Sequence, residues 1–314
     1  MLQEIVITPS VFERTSYSSQ DTCDAHFDGL RQALLEWTIV RDLRNGEWKD
    51  AVQGLSESMS PRSRELWKKL LRQGRTYAFQ SCDHINPQTD AEWCAEAIKS
   101  AQIHPLLGIL TSEGTKTNFA KDPLIASVPK RGSAPWWKHL EAGHPDGHQS
   151  ARSKQDYISR LELILRHANS LYFVDPHLDP QKKGYTEFLD IIQTALDRSV
   201  VPPMIQIHRC CYEGSGSNRN LVSNAEWESR FRTAWASDHR THGIEVFIWS
   251  NSHDRHLLTN LIGIHLGNGF DTSPDVTARV SWSRISKHDL DSMLRTVDPS
   301  AEGKHLIHRF KIGV

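Results

Sequence analysis

The sequence lacks the markers of several protein classes. Its five cysteines form no CxxC pair, so we expect neither a disulfide framework nor a cysteine-rich zinc site, and the thiols are expected to be reduced. No apolar run approaches the ~20 residues that a membrane span needs. Residues 1–7 are typical of a short strand and not of a signal peptide. These absences predict a cytoplasmic protein without a membrane span.

An excess of charge of one sign is also missing. Lys plus Arg (37) nearly balance Asp plus Glu (38), so no global field directs the chain toward nucleic acid or a membrane surface. The hydrophobic fraction of 38% is ordinary for a globular protein and too high for a disordered one. A length of 314 residues favours two domains.

Strand and helix patterns alternate through the first half. This alternation predicts an N-terminal α/β domain of unknown role over residues 1–130. Its expected elements are strands at 5–7, 39–43 and 106–111, and helices at 24–37, from Ser60-Pro61 and from Thr89. Residues 131–152 are rich in Gly, Pro, Lys and His and are predicted to be a loop-rich linker. Trp136 and Trp137 within it are expected to anchor against a neighbouring domain.

The second half predicts a further α/β domain over residues 153–314. Helices are expected at 154–168, 185–196 and 225–236. Strands are expected at 171–174, 204–208, 244–249, on both sides of Asn260, and at 306–312. This order predicts a mixed sheet that is flanked by helices.

One segment of this half combines residues that suit phosphate chemistry. His253 and Arg255 follow a predicted strand and so lie at its carboxyl end, where open α/β sheets place ligand sites. If the backbone is extended, both side chains project from one face. An imidazole can attack phosphorus or move a proton, and a guanidinium binds the non-bridging oxygens. Gly267 and Gly269 then permit a tight turn whose N–H groups could face an anion.

Two other predicted strands end in candidate ligands for phosphate. His177 follows the strand at 171–174, and His208 and Arg209 end the strand at 204–208, before a Gly-Ser loop that could cradle phosphate. Ordinary turn chemistry and a flexible solvent loop are the alternatives for these positions. The spacing of histidines, cysteines and carboxylates shows no metal-site signature, so no metal or cofactor is expected.

The second half resembles the phospholipase D-like superfamily over roughly residues 150–314. Members carry a His-x-Lys motif, four further residues, an aspartate, and then a glycine-bearing strand. Here His253 matches the histidine, Arg255 the lysine and Asn260 the aspartate. The pattern His-Asp-Arg followed by Gly-x-Gly-x-Asp is closer to divergent members, such as the domain at the C-terminus of some eukaryotic microtubule-interacting-and-transport proteins.

The resemblance implies a phospholipase D-like fold and a metal-independent phosphodiesterase of the nuclease type. His253 would be the nucleophile or general acid/base and Arg255 would bind phosphate. Asn260 would orient the site, and Asp271 would support His253. Arg and Asn here replace the Lys and Asp of the active enzymes.

Active members of the superfamily use two such motifs, and this chain contains one. A second imidazole would have to come from His177, His208 or a partner subunit across a two-fold axis. The alternative is a non-catalytic module that binds a protein partner or a phosphate-bearing ligand. Nucleic acid, a protein partner and a homodimer are therefore the expected partners, and a component of a bacterial defence-type assembly would fit either function.

Overall fold

The structure is a computed structural model that describes residues 1–80, 86–142, 148–198, 201–214, 216–236, 242–300 and 305–313. The chain divides into two compact units, Leu2–Gly143 and His144–Val314, with Met1 grouped with the second. Each unit combines helices with a β-sheet. The predicted α/β class is therefore confirmed.

An all-parallel sheet forms the centre of the first unit. Its strand order is β3-β2-β1-β4-β5, for β1 (Gln3–Ile7), β2 (Thr38–Leu43), β3 (Thr76–Phe79), β4 (Gly108–Thr111) and β5 (Ile125–Ser127). The helices are α1 (Gln20–Gln32), α2 (Glu47–Gly54), α3 (Pro61–Arg72), α4 (Asp90–Ile103), α5 (Glu113–Asn118) and α6 (Pro135–Ala142). The chain adds strands on one side of β1 and then on the other, so the strand order reverses between β1 and β4.

Local signals in the sequence account for several of these helix ends. Ser60 accepts a hydrogen bond from the Ser63 backbone N–H and Pro61 occupies the first position of α3, as predicted. Thr89 and Glu92 form a reciprocal capping box at the start of α4. The helix expected at 24–37 is α1 followed by one π-helical turn, which ends where β2 begins.

The predicted linker at 131–152 differs from the observed boundary. Part of it is helix α6, and Trp136 and Trp137 belong to the buried core of the first unit. A Cβ on Gly108 of β4 would lie 2.3 Å from the Trp136 ring, so the indole packs directly on the strand backbone. The two tryptophans therefore complete the first core, and residues 143–147 of the expected linker lie outside the described residues.

A mixed eight-stranded sheet forms the centre of the second unit. Its order is β15-β11-β8-β7-β12-β13-β14-β6. The strands are β6 (His148–Ala151), β7 (Ser170–Val174), β8 (Met204–Cys210), β11 (Ile244–Trp249), β12 (His256–Thr259), β13 (Gly263–Leu266), β14 (Arg279–Ile285) and β15 (Leu306–Ile312), while β9 (Tyr212–Glu213) and β10 (Asn220–Leu221) form a separate hairpin. Strands β7, β8 and β11 are parallel, and β12 and β15 run antiparallel to their neighbours. The predicted mixed sheet is confirmed.

Helices cover both faces of this sheet. They are α7 (Lys154–His167), α8 (Phe188–Leu196), α9 (Asn224–Ala236) and α10 (Lys287–Thr296). Phe188 of α8 packs on Phe173 of β7, and Phe231 of α9 packs on Phe310 of β15. Phe173 and Phe310 lie in the same row of paired residues across the sheet, so α8 and α9 cover the same face. Leu290 of α10 instead joins a core cluster with Val174. Because neighbouring residues of a strand face opposite sides, α10 lies on the other face.

Candidate functional site

The candidate site of the second unit lies along one edge of its sheet. The carboxyl ends of β7, β8 and β11 meet there with the amino end of β12, because β12 runs antiparallel to β7. His256, the first residue of β12, pairs with Val174, the last of β7. Asp175 and Arg255 therefore emerge side by side, at the boundary where the strand direction reverses.

Asp175 is a buried carboxylate around which this edge is organised. Its side chain is 0% exposed. One oxygen accepts from Tyr185 Oη at 2.9 Å and from the backbone N–H of Phe270 at 3.2 Å. The other accepts from the backbone N–H of His177 at 3.0 Å. Burial raises the pKa of Asp175, and these hydrogen bonds together with nearby Arg255 oppose that rise.

Arg255 lies over Asp175 and remains partly open to solvent. Its Nε is 3.9 Å from Asp175 Oδ1, and its side chain is 30% exposed. Its backbone carbonyl accepts from Leu266 N at 2.9 Å, which extends the β12–β13 pairing by one residue. The guanidinium is thus attracted to a buried charge, and the described residues form no hydrogen bond to its Nε.

Gly269 fills the space between these two side chains. Its φ is +80°, and a Cβ there would lie 2.1 Å from Asp175 Oδ2 and 3.3 Å from Arg255 Cδ. Only a residue without a side chain fits this position. The predicted role of Gly267 and Gly269 as anion-binding amides is not what the structure shows, because their N–H groups donate to the carbonyls of Ser281 and Leu266.

Asp271 forms a second charged pair beside the first. Its Oδ2 accepts from Arg152, and its backbone carbonyl accepts from Tyr157 Oη at 2.9 Å. Burial raises the pKa of Asp271, and Arg152 opposes this rise. The expectation that Asp271 supports His253 is therefore corrected, because its carboxylate pairs with the guanidinium of Arg152.

His177 lies in the field of several cations. Burial lowers the pKa of its half-buried ring, and the nearby charges of Arg255, Arg209, Lys182 and Arg219 lower it further. Cations from four different positions thus act on one ring at this edge. Such a concentration of positive charge favours an anionic ligand.

His208 was a predicted phosphate ligand, and the structure assigns it to the core. Its ring is 1% exposed and stacks on Phe247 with centroids 4.7 Å apart. Trp249 Nε1 donates to its Nδ1 at 3.2 Å, and its Nε2 is 3.2 Å from Gln206 Oε1. Both ring nitrogens are engaged within the protein, so His208 is not placed to bind an external phosphate.

Arg209, another predicted ligand, is also occupied internally. Its guanidinium is 1% exposed and lies 3.2 Å from the centroid of the Trp227 ring. Its nitrogens donate to the carbonyls of Cys210, Leu178 and Tyr212, each at 2.7 Å. Burial lowers its pKa to about 10, so it still carries a charge at neutral pH. Arg209 contributes to the field at this edge but does not present donors to a ligand.

The motif residue Asn260 does not lie near Arg255, whereas His253 lies on the loop that leads into Arg255. The His253 side chain is exposed, and none of the described residues makes a hydrogen bond or ion pair with it. Asn260 follows the far end of β12, where its Oδ1 accepts from Asn169 N at 2.8 Å and Ser170 N at 3.4 Å. At ~3.3 Å per residue, β12 carries Asn260 about 13 Å from His256. The predicted orienting role of Asn260 is therefore wrong.

The first unit has a polar cluster at its own strand-order reversal. Asp90 of α4 accepts from Thr8 and Thr111 at 3.0 Å, at the carboxyl ends of β1 and β4. Its other oxygen accepts from Ser10 N at 3.0 Å. Both oxygens are used within the protein, so the observed role of Asp90 is to fix the start of α4 to the sheet.

Metal-ligand clusters and membrane-spanning helices are both absent from the described part of the chain. No three side chains of His, Cys, Asp or Glu are arranged so as to hold a metal ion. No helix combines the length and the apolar character that crossing a membrane requires.

Comparisons with known proteins add little to this geometry. No family model matches the sequence, and no curated protein is similar to it. Among solved structures, the chain is similar to TrmBL2, an archaeal chromatin protein whose structure is described as showing a novel mode of DNA binding. The two chains are 11% identical, and the alignment covers 82% of this chain and 87% of that one. The TM-score is 0.28, a level at which the similarity does not establish a common fold.

Proposed function

We propose that the sheet edge around Arg255 binds a phosphate-bearing ligand without cleaving it. The observation that carries this proposal is the partly exposed Arg255 guanidinium over the fully buried Asp175, beside the His177 ring. Guanidinium N–H groups bind phosphate oxygens bidentately. Lys182 and Arg219 would supply further positive charge at the rim.

Three features favour binding over cleavage. The His253 imidazole lacks a carboxylate that would orient it, among the residues described. Asn260 lies at the opposite edge of the sheet. The buried His208 ring is held by Trp249 and so does not supply the second imidazole. These features support a non-catalytic member of the phospholipase D-like group that the sequence resembles.

A metal-independent phosphodiesterase is the second candidate. It is favoured by the presence of two imidazoles, His177 and His253, on loops that leave the same edge of the sheet as Arg255. In that case one ring would attack phosphorus and the other would protonate the leaving group. Nucleic acid is then the expected substrate class, and a second subunit would be the expected partner.

One experiment separates the two candidates. Binding of inorganic phosphate is measured by titration calorimetry, and labelled single- and double-stranded DNA and RNA are assayed for binding and for cleavage in EDTA. We expect binding without cleavage, weakened at least tenfold in Arg255→Ala, because a charged hydrogen-bond donor is lost. His253→Ala is the matched control and should bind as wild type does. Absence of binding, or equal affinity of Arg255→Ala, refutes the proposal, and EDTA-resistant cleavage that disappears in His253→Ala establishes the phosphodiesterase.

A further inference from the structure

A row of cations runs along one side of helix α3 in the first unit. Arg64, Lys68 and Arg72 are exposed, and each follows the last by four residues. Residues at this spacing lie on the same side of a helix, about 6 Å apart along its axis. Among the described residues, no carboxylate forms an ion pair with any of the three. We call these three residues the basic row.

The neighbouring side of α3 has its positive charge balanced within the protein. Glu65 is the shared carboxylate partner of three cations there, namely Arg31, Arg62 and Lys69. The basic row has no such partner among the described residues. An uncompensated row of positive charge on a protein surface attracts an anionic partner.

A groove of about 350 Å³ lies beside the basic row, between α3 and the end of α2 with the segment that follows it. We call it the α3 groove. Its apolar lining consists of Met59, Trp67 and Leu71. Leu71 is 37% exposed, and Arg64 and Lys68 of the basic row also line the groove. The apolar and the positively charged groups therefore form one continuous surface.

Hydrogen bonds within the first unit hold the walls of the α3 groove. Trp67 Nε1 donates to Gln53 Oε1 at 3.0 Å, which joins α3 to α2. Arg64 Nη2 donates to the carbonyl of Ser56 at 2.7 Å, which joins α3 to the segment after α2. The groove is therefore formed before a ligand enters, and this lowers the entropic cost of binding.

The chemistry of this surface selects the class of partner. Trp67 is 2% exposed, so its ring offers no face on which a nucleic-acid base could stack. Among the described residues that line the groove, one carboxylate, Glu57, stands against two cations. Cations beside an apolar groove match a ligand that carries carboxylates beside an apolar side chain, and a peptide combines these two groups.

We propose that the basic row and the α3 groove bind an acidic peptide segment of a partner protein. Its carboxylates lie on the basic row, and one apolar side chain enters the α3 groove next to Leu71. Carboxylates on alternate residues of an extended peptide are about 7 Å apart, close to the spacing of the basic row. This surface lies in the first unit and does not involve Arg255, so the two proposals succeed or fail separately.

Fluorescence anisotropy with two labelled heptapeptides tests the role of the groove. Both peptides have the pattern Glu-Ser-Glu-X-Glu-Ser-Glu, in which X is leucine in one and serine in the other. We expect wild type to bind the leucine peptide about threefold or more tightly, because the groove takes an apolar side chain out of water. Leu71→Ser should bring this ratio toward one.

Charge reversal tests the basic row with the same peptides. Lys68→Glu should weaken the binding of both about tenfold, because an ion pair is lost and a repulsion is added, and Lys68→Gln should weaken it less. Added salt should reduce these differences. Lys138→Glu is the matched control, since Lys138 is an exposed lysine on α6 without an ion pair to the described residues. It changes the net charge equally and should leave affinity within about twofold. Urea denaturation verifies that each variant is folded.

The contrary outcomes are specific. Equal affinity of wild type for the two peptides refutes the groove, and equal effects of Lys68→Glu and Lys138→Glu refute the basic row. Absence of peptide binding to the folded wild type refutes the proposal as a whole. A labelled single-stranded DNA oligonucleotide is titrated in parallel. If it binds through Lys68 more tightly than either peptide, the basic row is a nucleic-acid contact and the proposed peptide partner is wrong.

Discussion

Arg255 holds its Nε 3.9 Å from Oδ1 of Asp175, a carboxylate without solvent exposure. The separation is too long for a hydrogen bond, so the attraction is that of two charges. Attraction of this kind keeps the guanidinium near the sheet edge, while the side chain stays 30% exposed.

Gly269→Ala should destabilise the protein by about 3 kcal/mol, because the new Cβ would meet Asp175 Oδ2 and alanine resists the positive φ. The measurement is urea denaturation. Gly216→Ala is the matched control, since Gly216 also has a positive φ but has open space at its Cβ position. The control should cost only about 1 kcal/mol. Equal costs for the two variants would contradict the close packing at Gly269.

Asp175→Asn should change stability in a pH-dependent way. Burial raises the pKa of Asp175 in the folded state, so the fold favours the protonated form, and stability relative to Asn is lost as pH rises through that raised pKa. The free energy of unfolding of Asp175→Asn relative to wild type should therefore increase between pH 4 and pH 7. Urea denaturation at both pH values measures it.

The control for this experiment is Asp275→Asn. Hydrogen bonds from Thr277 lower the pKa of the exposed Asp275, so its titration lies below pH 4. Its stability relative to wild type should change little between pH 4 and pH 7. A flat profile for Asp175→Asn as well would show that the buried carboxylate does not titrate as expected.

His177→Gln should remove most of the pH dependence of phosphodiester binding. Burial and the neighbouring cations, Arg255 foremost, lower the pKa of His177, so its ring is neutral at pH 7 and gains charge only as pH falls below its usual range. Affinity of wild type for a labelled oligonucleotide should therefore rise from pH 7 to pH 5. Protonation of Asp175 and Asp271 acts in the same direction, so the difference between wild type and His177→Gln isolates the imidazole. Identical profiles would remove His177 from the site.

His208→Ala should destabilise the protein by about 2–3 kcal/mol and leave phosphate affinity unchanged. The substitution opens a cavity beside Phe247 and removes the acceptor of the Trp249 indole N–H. Urea denaturation and phosphate titration are measured on the same samples. Arg255→Ala should instead weaken phosphate binding, and it should also lower stability, because the buried Asp175 carboxylate loses its nearby cation. Loss of binding in a folded His208→Ala protein would restore His208 as a ligand.

Arg41→Leu should destabilise the first unit by about 3–5 kcal/mol. Its buried guanidinium pairs with Glu4 and donates to Ser100 Oγ at 2.9 Å, so its removal leaves a buried carboxylate without its cation. Thermal or urea unfolding measures the loss. Lys130→Ala breaks the exposed pair with Glu113 and serves as the control, with an expected cost under about 1 kcal/mol. Similar costs for both variants would contradict the burial of the Glu4–Arg41 pair.

Helices and strands with a local sequence signal could be predicted from the residue pattern. The strands at 171–174, 204–208 and 244–249 and the helix at 154–168 agree with β7, β8, β11 and α7 to within a few residues. Apolar periodicity and capping residues are short-range properties, so they are visible in one sequence. Strand β14 and helix α10 went unpredicted, although β14 alternates in burial and Ser286 caps α10.

Only part of the candidate site could be predicted from the sequence. Arg255 lies after the carboxyl end of β11, as the polar segment after an apolar strand predicts, and its role as a ligand-binding residue stays a prediction. Asp175 is not among the residues predicted for the site, although its place directly after the buried β7 was a signal. Arg152 offered no signal, because it reaches Asp271 across 119 residues of sequence.

Composition and local pattern therefore predict the α/β class and most element positions. The partners of each polar side chain are settled by the order and direction of the strands. Antiparallel β12 brings Arg255 to Asp175 and carries Asn260 away from both. Packing buries His208 among aromatic rings and Arg209 on Trp227. Two residues that the sequence predicts as phosphate ligands are therefore parts of the core. Spacing along the chain is a local quantity, whereas the distance between side chains depends on how distant segments pack.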